Sequence, residues 1–248
     1  MYLSCLLIDV GGNPDRPRPG RLWLRNRYRV HQRLCMAFPS AACVQADPLF
    51  LQPYVPERFI HVHKRRSGDQ AFLFRLDPQP GGRVVILVQS AIEPNWAYAF
   101  HNASYLLGAP VSTKPFDPRF TDGQRLHFRL AANPTKRLRN GSLDAKGRPI
   151  ESKWVGKRVP VLSSQLGSWL ERRAERSGFR LDAPIGIRSG FVHVGKGAAH
   201  GDRQRLSSVR YEGILEVTDR QRFREALVSG IGPAKAFGFG LLSVTPVR

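Results

Sequence analysis

Between Leu126 and Val244 the apolar residues switch back and forth between the period of a strand and that of a helix, and the order of the switches dictates a topology. "LHFRLA" alternates as a strand and ends at the Asn133-Pro134 turn. "LSSQLGSWLERRAERSG" then carries Leu162, Leu166, Trp169 and Leu170 on one helical face, with Gly178 closing the helix. Strands follow at "FRLDA", "GFVHVG" and "SVRYEGILEV"; Asp219 caps the helix "RQRFREALVSG", and a glycine loop leads into the strand "LLSV". This is β-α-β-β-α-β, the ferredoxin-like plan.

The first half repeats that order more loosely. "YLSCLLIDV" reads as a strand, "GGNPDRPRPG" as a Gly/Pro loop that excludes helix, and a helix opens at Asn26 with Val30, Leu34, Ala37 and Phe38 inward until Pro39. "AFLFRLD" and "RVVILVQS" form two strands joined by "PQPGG", and a second helix is expected between Trp96 and Leu107. The expected fold is therefore α+β, two tandem ferredoxin-like domains at residues 1–116 and 117–248. Two insertions interrupt them: the Pro-punctuated stretch at 44–70 and a basic, hairpin-like one at 134–160.

Charge narrows the function. With 39 Lys and Arg against 19 Asp and Glu, the chain carries a formal +20, and a polyanionic partner is the simplest reason to tolerate such self-repulsion. No run approaches the roughly 18 apolar residues of a spanning helix, so the reading is nucleic acid rather than membrane. "MYLSCLLIDV" lacks a basic leader and is broken by Asp9; Cys5, Cys35 and Cys43 have neither zinc-knuckle nor disulfide-framework spacing, and a reducing cytoplasm fits them.

The basic residues concentrate in two places. Seven arginines and no acid lie between Arg16 and Arg33, Arg25, Arg27, Arg29 and Arg33 among them. Eight cations lie between 134 and 158: Lys136, Arg137, Arg139, Lys146, Arg148, Lys153, Lys157 and Arg158. One such run reads as a solvated face; two in a chain this basic point to a groove that pairs phosphates and stacks on unpaired bases. The loop "GIGPAKAFGFG", with Gly230, Gly232, Gly238, Gly240 and Lys235, follows a helix and opens a strand, the reverse of a nucleotide-binding loop. It suits either close approach to a polynucleotide phosphate or tight helix-to-sheet packing. His61 and His63 share a strand face without a third ligand, "GKG" at 195–197 reads as a hairpin turn, and neither a metal nor any other cofactor is expected.

Tyr28 and His31 lie on neighbouring positions of the first helix, at the border of its Val30, Leu34, Phe38 stripe. Such a histidine is either structural or, in a basic RNA-binding setting, a proton-transfer group, because imidazole titrates near neutrality.

Taken together, "MYLS" and "LLI" at the start, Asn26, Tyr28, His31, Arg33 and Leu34, "LHFRLAANPTK", "YEGILEV" and "GIGPAKAFGFGLLSVTP" resemble the CasE family of CRISPR repeat-processing endoribonucleases, RAMP-superfamily subunits of type I-E Cascade complexes. The resemblance implies a CRISPR repeat stem-loop RNA as substrate, cut without metal at the 3′ base of the stem to leave a 2′,3′-cyclic phosphate and a 5′-OH. It also implies retention of the product among other Cascade subunits. His31 takes the family's place for the proton-transfer residue and Tyr28 for its partner. The alternative is a non-catalytic RNA-binding subunit in which the pair only contacts RNA.

Overall fold

Alternation in "YLSCLLID" sends Ser4, Leu6 and Ile8 to one buried face of β1 (Tyr2–Asp9), and this strand becomes the centre of the first sheet. The computed structural model describes residues 1–11, 18–38, 72–143, 147–149, 151–195 and 203–247. Cys43 and the 44–70 insertion with its His61 and His63 lie outside them. β1 pairs antiparallel with β3 (Arg83–Ser90) from Tyr2 opposite Ser90 to Asp9 opposite Arg83, and with β4 (Ser112–Pro115) on its other edge. β2 (Phe72–Gln79) completes the order β2-β3-β1-β4. Helices α1 (Pro19–Arg25), α2 (Arg27–Cys35) and α3 (Trp96–Phe100) belong to this half, and Leu6, Ile8, Val30, Leu34, Phe74 and Ile86 form its dry core. Each such side chain contributes about 1.5–3 kcal/mol of burial.

The second sheet has the same order of neighbours, β10-β5-β9-β8, from β5 (Arg125–Ala132), β8 (Phe179–Gly195), β9 (Arg203–Val217) and β10 (Leu242–Pro246). α4 (Leu166–Arg176) and α5 (Arg220–Ser229) bury Trp169, Leu170, Phe223 and Leu227, and Leu126, Phe128 and Leu130 of β5 join that core. A two-stranded ribbon, β6 (Thr135–Arg137) with β7 (Arg158–Pro160), bounds the basic insertion. The two ferredoxin-like units are thus as expected.

Four local readings change. Pro19 and Gly20 of the supposed loop are the first residues of α1, since proline lacks only an N–H that a first turn leaves unbonded anyway. The helix expected over Trp96–Leu107 is the short α3 followed by a separate 3-10 turn at Ser104–Leu106. Leu162 is 56% exposed, because a 3-10 turn at Ser163–Gln165 precedes α4 and resets the helical phase. "FRLDA" and "GFVHVG" belong to one strand, interrupted only by an irregularity between Asp182 and Gly186. That long strand matters: β5 pairs with β9 only from Val209 to Glu216, so β8 and β9 run on past the sheet as an arm that packs its Val194 against the α2 side of the molecule.

The halves are joined through β2, whose residues 73–77 are buried on both faces although it is an edge strand. Arg75 donates to Asp77 at 2.8 Å in its own strand, and across the junction to Ser243 Oγ at 2.8 Å and the Arg129 carbonyl at 3.1 Å. Asp77 also accepts from Arg210 of β9 at 3.1 Å. A buried carboxylate between two guanidiniums, with the first guanidinium satisfied by the other unit, fixes one sheet on the other.

Candidate active site

Helix α2 starts where its sequence says it should. The Asn26 side chain accepts from the amides of Tyr28 (3.1 Å) and Arg29 (3.3 Å), satisfying two of the N–H groups a helix start leaves open. Val30, Leu34 and Cys35 anchor the helix in the core, which leaves Tyr28 and His31 half-buried at its border. The His31 ring lies nearly parallel to Phe72 and Phe74 of β2, with centroids 5.5 and 6.2 Å away. One turn on, the buried Cys35 thiol comes within 3.6 Å of His31 Nε2. The imidazole is thus braced by two rings and a thiol on its protein side. Burial pushes the Tyr28 phenol above its ordinary pKa, against a hydrogen bond from Gln32, and Cys35 adds to the rise. Tyr28 therefore stays a neutral hydrogen-bond donor throughout the neutral range.

The glycine-rich loop covers this helix and β2 from the other unit. Its 3-10 turn, Lys235–Phe237, packs on both. Gly238 has φ +80°, and a Cβ there would lie 3.0 Å from the Phe74 ring and 3.1 Å from Arg27 Nη1. At Gly230, with φ +75°, a Cβ would come still closer to Leu73, at 2.8 Å. Of the two uses open to these glycines, tight packing accounts for Gly230 and Gly238; Gly232 faces Trp169 and Gly240 the Ile231 backbone. Lys235 donates to the Ser229 carbonyl.

The arginines of the helix divide by surroundings. Arg25 and Arg29 are exposed and, with Leu22 and His193 of the β8–β9 arm, line a cleft of about 620 Å³ beside α2. Arg27 lines it too, but its guanidinium is turned toward Gly238; burial lowers its pKa to about 10, and Asp77 opposes the fall. Arg33 donates to the Ala99 carbonyl (2.9 Å) and to Asn102 (2.8 Å), tying α2 to α3. In the basic insertion Lys136, Arg137, Arg139, Arg148, Lys153, Lys157 and Arg158 are all exposed, while Lys146 lies outside the described residues. Arg137 donates to the Gly156 carbonyl and Lys153 pairs with Glu151 at 2.6 Å.

Phe72, Phe74, Cys35 and His193 escaped the sequence reading. Cys35 had a visible signal, one helical turn after His31; the others meet α2 only through tertiary structure. Among the described residues no group of three or more His, Cys, Asp or Glu is placed to hold a metal ion, and no helix is long and apolar enough to cross a membrane.

The arrangement is a half-buried imidazole and a neutral phenol on a helix whose Arg27 and Arg29 line a cationic cleft, chemistry that can move a proton and bind a phosphate. Comparison with known proteins gives the family. Residues 1–246 match the family described as CRISPR associated protein. The CRISPR-associated endoribonuclease Cse3 of Thermus thermophilus is 38% identical over 256 aligned positions, covering 99% of this chain and all of the relative. The CRISPR system Cascade subunit CasE of Escherichia coli is 28% identical and is covered end to end. Among solved structures, Thermus thermophilus Cse3 bound to an RNA representing a pre-cleavage complex superposes with a TM-score of 0.68 at 31% identity, covering 99% of this chain and 98% of that one.

Proposed function

This chain belongs to the CRISPR associated protein family, and from that premise we propose that it is an endoribonuclease that cleaves CRISPR precursor RNA at the 3′ base of the repeat stem-loop and keeps the product within a Cascade complex. The observation that carries the proposal is the Tyr28/His31 pair, held on a capped helix with His31 braced by Phe72 and Phe74, on the same helix whose Arg29 lines a cationic cleft with Arg25.

RNA supplies its own nucleophile. The 2′-oxygen attacks the adjacent phosphorus, the bond to the 5′-oxygen breaks, and a 2′,3′-cyclic phosphate and a 5′-OH result. One proton leaves the 2′-OH and one arrives on the 5′-oxygen; His31 transfers a proton, worth about 10²–10⁴ in rate. Tyr28 donates a hydrogen bond to the reacting hydroxyl or phosphate, and the exposed arginines stabilise the charge that builds on the phosphorane. The cations of the 134–158 segment grip the RNA backbone. In this reading the boundary between the units lies near residue 117, ahead of β5, and the protein works in the cytoplasm with its RNA and the other Cascade subunits.

The test is a labelled repeat stem-loop RNA incubated in EDTA. Cleavage undiminished by the chelator, with cyclic phosphate or 3′-phosphate and 5′-OH ends, is expected, and a 2′-deoxy residue at the cut site should bind and resist. Products carrying 5′-phosphate and 3′-OH, or strict dependence on Mg²⁺, would overturn the mechanism. Tight binding without any cleavage would leave an RNA-binding subunit.

A further inference from the structure

Trp154 is a large aromatic side chain left 44% exposed on a protein with ample core to receive it. It does not sit on a loose loop. Its 3-10 turn, Ser152–Trp154, is tied back to the strand beyond β6 by Gly156 N–H to the Leu138 carbonyl (2.9 Å) and Leu138 N–H to the Lys157 carbonyl (2.9 Å). The Arg137 side chain adds a bond to the Gly156 carbonyl at 3.0 Å. One ring face carries the Lys157 ammonium, 4.4 Å from the centroid. The surroundings are cationic: Lys136, Arg137 and Arg158 stand on the exposed ribbon β6–β7. Arg158 is also close enough to Arg173 of α4 to depress its pKa together with Arg176 and Arg172, after burial as the main cause. Glu171 and Glu175 of that helix line a separate cleft with Phe179 and Leu181, and Glu151 is taken up by Lys153.

An indole with one face on a cation, fixed on bonded backbone and flanked by crowded guanidiniums, repels a basic protein surface and suits a partner that brings both flat π-faces and negative charge. A paired stem hides its base faces in its own stack, whereas unpaired nucleotides offer them. We propose that Trp154 is a stacking platform for an unpaired nucleobase flanking the RNA stem, with Lys157 and the ribbon cations holding the adjoining phosphates. The inference rests on the RNA reading above and extends it: beyond the stem-loop, the protein reads single-stranded RNA through a second site on the basic insertion.

Binding is measured with stem-loop RNAs made uncleavable by a 2′-deoxy residue at the cut site, in three forms: without flanks, with a short unpaired 5′ flank, and with a short unpaired 3′ flank. The wild type should bind one flanked form more tightly than the bare stem-loop, and that form identifies which strand reaches the platform. Trp154→Ala should lose about tenfold of that gain, and Trp154→Phe should keep most of it. Affinity for the bare stem-loop should stay within about twofold. Equal wild-type affinity for all three RNAs, a Trp154→Ala protein that keeps the gain, or one weakened alike on all three would overturn the platform. Cleavage of the all-ribose bare stem-loop by the wild type reports separately on the endoribonuclease reading, so the two ideas fail by different results.

Discussion

Replacing Arg75 with methionine tests whether the junction between the sheets sets the site. The side chain is 4% exposed and that of its partner Asp77 7%, so methionine fills similar space while removing one charge and every donor. Among the described residues Asp77 would then keep only Arg210, at 3.1 Å, as its direct ion-pair partner, and the Arg129 carbonyl and Ser243 Oγ would lose their cross-junction donor. Breaking one side of a buried pair costs about 3–5 kcal/mol. Arg210, 27% exposed, and the charge of the nearby Arg27 offset part of the isolated carboxylate, so the lower end, about 3 kcal/mol, is expected. At about 2–4 °C per kcal/mol for a chain of this size, the melting temperature should fall by about 6–12 °C. Arg75→Met with Asp77→Leu should recover a good part of that loss, because the stranded carboxylate is gone and Arg210 can turn to water. Urea unfolding gives the energies; single-turnover cleavage at a temperature where both variants are folded gives the functional half. If the junction also holds the glycine loop against α2, both variants cleave more slowly than the wild type. A single variant costing less than about 1 kcal/mol and cleaving at the wild-type rate would refute the reasoning.

His31→Ala should cut the single-turnover rate by about 10² or more with little change in RNA affinity, and Tyr28→Phe should be milder; a histidine that merely packs on Phe72 and Phe74 would instead lower the melting temperature and spare the rate. Replacing Lys136, Arg137 and Arg139 with alanine should weaken RNA binding and flatten its salt dependence by about 0.7–0.9 per lost phosphate contact; an unchanged slope removes them from the interface. Gly238→Ala meets Phe74 and Arg27 and should cost about 1–2 kcal/mol of backbone strain, plus cleavage rate as the loop is pushed off α2. Gly123→Ala, at the same φ of +80° with nothing within 4 Å, should show the strain alone in urea unfolding. Tyr211 is buried, donates to the Leu166 carbonyl at 3.2 Å, and has its phenol pKa pushed up by burial. The unfolded chain therefore releases that proton first, near pH 10, and wild-type stability should fall as pH rises beyond it; Tyr211→Phe should lose about 1 kcal/mol at pH 7 and show a shallower alkaline decline.

What the sequence disclosed was local. The Asn26 cap, the Val30 and Leu34 stripe and the Asp219 cap depend on neighbours within a turn or two, and the order of strands and helices followed from periodicity. Misreadings arose where one local rule competed with another. Proline read as a breaker at Pro19 is a good first-turn residue, and the helical phase of α4 was extended back through a 3-10 turn to Leu162. At Asp182 an irregularity inside β8 has the local look of a strand end. The partners of the site were hidden for a different reason. Nothing near Arg75 announces Ser243, and nothing near His31 announces Phe72, because those contacts join residues far apart in the chain. For the same reason Arg27 and Arg33 looked like equivalents of Arg25 and Arg29, although burial and carbonyl partners separate them.

The covering of α2 by the glycine loop also sets a timetable for synthesis. His31 and Lys235 are roughly 200 residues apart, and at about 5–20 residues per second the ribosome needs about 10–40 s to pass from one to the other. During that interval the amino-terminal unit can fold its own sheet, but Leu73 and the outer side of Phe74 remain bare, since Gly230 and Gly238, which close over them, do not yet exist. A newborn chain therefore displays an apolar patch next to its cationic helix, open to chaperones or to pairing with the wrong neighbour, until its own last segment arrives to seal it.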